Sequence, residues 1–290
     1  MLIVILLVTL RTESIIINQI IIMKVKSLLL ALILPLFISV PAMAGKHWVA
    51  TWATAEQVVE PHNCPPAPYL ENNSIRQIVQ VSISGKKIRL KFSNEFSKGP
   101  VTINAAEVAI AATAGSSSDI VAGTEKSLTF NGSPSVTIQP GELVISDPIN
   151  FKLNNRENVA ITMHLGEASS TSVTGHPGSR TTSYIAEGQT SDFSNATATA
   201  HWYIINAIEV FAEKNARAVV VLGNSITDGR GSTTDQHNRW TDNLSRRLLE
   251  NKSTKRVAVL NMGLGGNCIL NGGLGPTGRS SYNRDLFQQE

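Results

Sequence analysis

Cysteine is almost absent from this chain, charge is sparse, and no apolar run is long enough to cross a bilayer. The 290 residues contain two cysteines, Cys64 and Cys268. Two so far apart form no disulfide framework and no metal-ligand spacing, and they read as structural or free thiols rather than a bonded pair. Charged residues make up 16% of the chain, against about a quarter in an average domain. The apolar runs Leu2 to Leu10 and Ile15 to Ile22 are interrupted by Arg11, Glu13 and Asn18, and each falls short of the roughly 20 residues a spanning helix needs.

A better leader starts at Met23. Lys24 and Lys26 form a basic start, Leu28 to Val40 an apolar stretch, and Ala42-Met43-Ala44 a small-x-small cleavage site. The sequence therefore predicts a leader over residues 1–44, with the signal peptide at 23–44, residues 1–22 contributed by a start codon set too early, and a mature chain from Gly45. No cysteine follows the cleavage site to carry a lipid. The expected product is exported, periplasmic or extracellular, with no stable membrane anchor after cleavage. Removing residues 1–44 takes away Arg11, Lys24, Lys26 and Glu13, so the net charge of +3 becomes +1. Near-neutrality removes the electrostatic case for nucleic acid or an anionic membrane as partner.

From His47 to Glu213 short apolar runs alternate with polar residues and are punctuated by turns such as Asn131-Gly132 and Pro140-Gly141. This pattern predicts a β-sandwich or jelly-roll domain over residues 45–213. Val79, Val81 and Ile83, then Ser84-Gly85, then Ile88, Leu90 and Phe92 read as a hairpin. Val159, Ile161, Met163 and Leu165 alternate in the same way, which predicts Thr162 and His164 on a solvated face. Trp48, Trp52, Tyr69, Trp202 and Tyr203 read either as core packing or as a stacking platform for sugars. The polar loop Gly175 to Tyr184 is either solvated or long enough to reach a neighbouring site.

After a linker at Lys214-Asn215-Ala216 the character changes. The run Ala218-Val219-Val220-Val221-Leu222 reads as a strand buried on both faces, as in a parallel sheet, and it leads into Gly223-Asn224-Ser225-Ile226-Thr227-Asp228-Gly229. Trp240, Leu244, Leu248 and Leu249 recur at helical spacing. Val257-Ala258-Val259-Leu260 then forms a second strand ending in Asn261-Met262-Gly263-Leu264-Gly265-Gly266-Asn267. Strand, helix and strand predict a βαβ unit with adjacent parallel strands, which brings the two following turns to the same sheet edge. Taken alone, Ser225 is either a helix cap or a nucleophile, and the glycines either permit a tight turn or offer a free N–H. No phosphate loop fits, because no lysine lies in the serine turn, and the Gly-x-Ser-x-Gly elbow fails at Thr227. Cys268 occupies the third position of a dinucleotide fingerprint, which excludes that motif as well.

The serine turn resembles the first block of the SGNH (GDSL-type) esterases, Gly-Asp-Ser-Ile-Thr followed by Asp-Gly, with Asn224 in place of Asp. Thr51-Trp52-Ala53-Thr54-Ala55, Ile75-Arg76-Gln77, Phe92-Ser93-Asn94-Glu95-Phe96 and the Gly175 to Tyr184 loop are similar to the N-terminal β-domain of secreted bacterial members. The resemblance covers nearly the whole mature chain. It implies a β-sandwich followed, over 217–290, by the first part of a flavodoxin-like α/β/α domain. It also implies Ser225 as nucleophile and oxyanion N–H donor, Gly266 as a second oxyanion donor, and neither cofactor nor metal.

Two blocks of that family, Gly-x-Asn-Asp and Asp-x-x-His, do not occur in this sequence. Asp235-Gln236-His237 has the wrong spacing to replace the second. Tyr282 to Glu290 reads as the start of the helix that precedes the missing blocks, so the expectation is a C-terminally truncated form with little activity. The implied function is an exported acyl or acetyl ester hydrolase, acting on a small-molecule or polysaccharide ester. The alternative is a non-catalytic carbohydrate-binding β-sandwich carrying a vestigial hydrolase segment.

Overall fold

A computed structural model describes residues 45–271 and 273–287. The leader expected over 1–44 lies outside the described residues. Alternating sequence does become strand through the middle of the chain. The first strands are β1 (His47–Ala53), β2 (Gln57–Val58), β3 (Ser74–Gln80), β4 (Gly85–Ser93) and β5 (Val101–Ile110). Then come β6 (Lys126–Ser127), β7 (Val136–Ile138), β8 (Leu143–Ile145), β9 (Ile149–Leu153) and β10 (Asn158–Leu165). The last are β11 (Thr174–His176), β12 (Ser183–Ala186), β13 (Thr197–Thr199), β14 (Trp202–Tyr203), β15 (Ile205–Ala212), β16 (Arg217–Gly223) and β17 (Val257–Gly263).

Two larger antiparallel sheets dominate. One has five strands in the order β1-β15-β4-β8 with β9 also on β4, and the other has seven in the order β13-β12-β3-β10-β5-β6 with β7 also on β5. Ile88, Leu90 and Phe92 of the first sheet and Ile75, Val159, Ile161 and Met163 of the second belong to one buried cluster. Apolar burial at that interface is the main stabilising term. The β-rich architecture expected for this region is therefore present.

The expected Val79–Phe92 hairpin does not form, because β3 and β4 belong to different sheets. The segment between them crosses from one sheet to the other, and its backbone finds partners outside any hairpin ladder. Val81 N–H donates to Glu157 O at 3.0 Å and Ser82 N–H to Thr51 O at 2.7 Å. Thr51 Oγ1 serves both polar groups of Ile83, donating to its carbonyl and accepting from its N–H, each at 2.8 Å.

Thr162 and His164 also depart from expectation. β10 is an inner strand of its sheet, and Thr162 is buried, accepting from Arg76 Nε at 2.9 Å. His164 is half-buried with its Nδ1 at 2.8 Å from Ser74 Oγ. Arg76, whose guanidinium also stacks on Phe193, covers the face that alternation assigned to solvent.

The βαβ unit forms as the sequence predicts. β16 and β17 pair in parallel with Gly223 opposite Gly263, and the helix Trp240–Glu250 connects them. Residues Lys46–Glu290 make one compact unit, and Ala258, Leu260, Met262 and Leu264 join the same buried cluster as the two large sheets. The far edge of β17 is sealed by Ser82, whose Oγ donates to Val259 O at 2.9 Å and accepts from Val259 N–H at 3.1 Å. Thr54 adds a parallel bridge to Asn261.

β16 is less buried than its composition predicts. It is the outer strand of a two-stranded sheet among the described residues, and Val219 is 42% exposed. Among the described residues no helix is long and apolar enough to cross a membrane. Cys64 and Cys268 are both free thiols.

Candidate active site

The serine turn leaves the carboxyl end of β16 and enters a single helical turn, Ser225–Asp228. Asn224 caps it, its side chain accepting from Ile226 N–H at 3.2 Å. Ser225 is thus not the capping residue, and its half-buried side chain faces a cleft instead. Gly229, with φ of 118°, ends the turn, and its N–H and that of Arg230 both return to Ser225 O.

Glycine is required where the turn folds back over the strand ends. A Cβ on Gly223 would meet the Thr227 side chain, and one on Gly263 would meet the backbone of Thr227 and Asp228. Asn261 fastens the same corner. Its Nδ2 donates to Thr227 O at 2.8 Å and Thr241 Oγ1 at 3.0 Å, while its Oδ1 accepts from Gly263 N–H at 3.0 Å.

The turn after β17 comes to the same edge. Gly266 takes the left-handed conformation, φ 72°, and its carbonyl accepts from Leu274 N–H at 3.1 Å. Ser225, Gly265 and Gly266 line one cleft of about 540 Å³, within the range of small-molecule sites. Among the described residues neither the Ser225 nor the Gly266 backbone N–H has a backbone acceptor outside regular elements.

The rest of the lining comes from the β-rich region. Glu60 and His62 enter from the turn after β2, and Pro177, Gly178 and Arg180 from the Gly175 to Tyr184 loop. Burial pushes the Glu60 carboxyl up, but hydrogen bonds from Asn63 and Gln57 outweigh it and hold the group below its ordinary value. The polar loop therefore reaches the serine turn rather than standing in solvent.

Sequence reasoning missed the group that joins loop and turn. His176 Nε2 lies 3.0 Å from Asp228 Oδ1, and His176 Nδ1 lies 2.8 Å from Ala55 O. Both residues are buried. Gly178 packs so closely on the Asp228 carboxylate that a Cβ there would overlap it. Arg239, buried beneath Trp202, donates from Nε to Asp228 O at 3.0 Å and from Nη2 to Ser179 O. Asp235 adds a second tie by accepting from Thr182 N–H at 2.7 Å and Thr182 Oγ1 at 2.8 Å.

No protein-family model matches the chain, and no curated protein matches it.

His176 does not serve as a base toward Ser225, because its ring nitrogens are engaged by Asp228 and by the Ala55 carbonyl. Trp52, Trp202 and Tyr203 are buried, and Trp48 lies under the Arg89 guanidinium, so these four are packing residues. Tyr69 alone of the five aromatics is half exposed.

Proposed function

We propose that the chain is an exported serine ester hydrolase of SGNH type, acting on acyl or acetyl esters. The observation that carries the reading is the shared cleft of Ser225 and Gly266, reached from the carboxyl ends of two parallel strands whose Gly223 and Gly263 stand in register. In this reading Ser225 Oγ adds to the ester carbonyl, and the N–H groups of Ser225 and Gly266 receive the negative charge that develops on its oxygen. Collapse of the adduct, with the Ser225 hydroxyl proton carried by water to the departing oxygen, releases the alcohol and leaves an acyl-serine, which a second water hydrolyses to the free acid. The finer architecture in this reading is a jelly-roll-like domain followed by the beginning of a flavodoxin-like one.

Ser225 lacks the Asp-x-x-His base and the Gly-x-Asn-Asp donor that the family resemblance implies. Loss of one oxyanion donor costs on the order of 10²–10³ in rate. The 290-residue chain is accordingly expected to acylate slowly and to turn over very little.

The test is covalent labelling of the full chain with a fluorophosphonate, followed by mass spectrometry of its peptides. Modification at Ser225, abolished in Ser225→Ala and retained in Ser232→Ala, is the expected result. Modification confined to other serines overturns the assignment of the nucleophile.

A further inference from the structure

We propose that Arg180 and Arg230 form an anion subsite beside Ser225, so that the cleft takes esters whose own molecule carries a carboxylate; this rests on the esterase reading of the same cleft. Both arginines line the cleft with Ser225. Among the described residues neither enters an ion pair, whereas Arg76, Arg89, Arg239 and Arg284 all do.

Arg180 carries the stronger argument. Its Nε is buried and has no hydrogen-bond partner, a state that costs folding free energy unless a ligand supplies the acceptor. Its backbone is also held at φ 51°, a conformation that a non-glycine residue keeps only where its surroundings impose it. Those surroundings are identifiable. Arg180 O accepts from Asp235 N–H at 3.0 Å, the same Asp235 carboxylate grips Thr182, and Arg239 holds Ser179 O. The loop thus fixes the base of a side chain whose buried donor is still unused.

The carboxylates in the cleft do not supply the missing acceptor. Glu60 accepts from Gln57 Nε2 at 2.7 Å and from Asn63 Nδ2 at 2.9 Å, while Asp228 is occupied by His176. A guanidinium with free donors matches a planar carboxylate in shape as well as charge. Arg230 follows the serine turn directly and is exposed, so the charge of the subsite lies next to the reacting group.

The test is calorimetric binding of 4-acetoxybenzoate and its neutral analogue 4-acetoxybenzamide to the full chain, with Arg180→Gln, Arg230→Gln and the double variant. The carboxylate probe is expected to bind about tenfold more tightly than the amide, with the difference shrinking in high salt. Arg180→Gln should erase most of that preference. Arg230→Gln, at an exposed position, should reduce it without affecting the fold. Equal affinity for the two probes, or a preference that survives in a folded double variant, overturns the proposal. Ser225 labelling is read separately. A carboxylate preference without labelling overturns the nucleophile and keeps the subsite, and labelling without preference does the reverse.

Discussion

His176 Nε2 and Asp228 Oδ1 lie 3.0 Å apart in a buried pair that joins strand β11 to the serine turn. The Ala55 carbonyl on the other side of the ring can only accept, so His176 Nδ1 is the donor in that contact. Asp228 is the last residue of the turn that begins with Ser225, and this contact sets the turn against the wall of the cleft. Removing one member of a buried pair leaves the other without compensation, at about 3–5 kcal/mol. Asp228→Ala and His176→Ala are each expected to destabilise the chain by that order in urea denaturation. Asp228→Asn should cost less, because a neutral ring that still donates to Ala55 O can accept from the new amide. Equal losses for Asp228→Asn and Asp228→Ala would contradict this account of the proton positions.

Gly263→Ala probes the fit of the serine turn on β17. The added methyl has no free space, since it would meet the backbone of Thr227 and Asp228. Overpacking of this kind costs about 1–3 kcal/mol, and here it should also push the turn away from the strand end. Both a lower melting temperature and slower Ser225 labelling are expected. Gly99→Ala, where nothing stands within 4 Å of the new atom, should leave both unchanged.

Ser82→Ala tests how the segment between β3 and β4 seals the edge of β17. The hydroxyl serves both Val259 N–H and Val259 O, and its removal leaves two buried backbone groups unpaired, at about 1–3 kcal/mol each. A loss of stability is expected, together with faster hydrogen exchange at the Val259 amide. Unchanged exchange at Val259 would mean that something else protects this edge.

How much of this was legible in the sequence differs from element to element. The parallel pair was legible because β-branched runs and glycine turns report local geometry and crossover handedness directly. The β3 to β4 crossing was not, because alternation tells which side chains point inward and never which strand is the neighbour. The same limit hid the burial of Thr162, which depends on Arg76 from another strand. Composition marked β16 as buried on both faces, but burial also requires a neighbour on each side, and the described residues provide one. His176 and Asp228 are 52 positions apart in segments with no common periodicity. The only sequence signal for their pairing was the polar density of the Gly175 to Tyr184 loop. Ser225 and Gly266 reach one cleft because each follows a strand of the same βαβ unit, so their shared sheet edge was legible in the pattern, while the roles assigned to them rest on the family resemblance.

Two buried titratable groups oppose each other in the dependence of stability on pH. Burial pushes the Glu56 carboxyl up to about 8, against hydrogen bonds from Asn206 and Ser93. The folded chain therefore keeps a proton that the unfolded chain releases near 4.5, and stability falls as pH rises from there to about 8. Burial pushes the His237 imidazole down to about 4, from an ordinary value of 6.5. The unfolded chain binds that proton first, so stability falls as pH drops from 6.5 to about 4. Between 4.5 and 6.5 the two one-proton slopes cancel, and above 6.5 the Glu56 slope acts without the opposing one from His237. Thermal denaturation across pH should show a plateau from about 4.5 to 6.5 and a decline toward 8. Glu56→Gln, which keeps the shape and an acceptor oxygen without an ionisable proton, should flatten the alkaline decline and leave the acid limb in place. An alkaline decline as steep in Glu56→Gln as in the parent chain would place the responsible proton elsewhere.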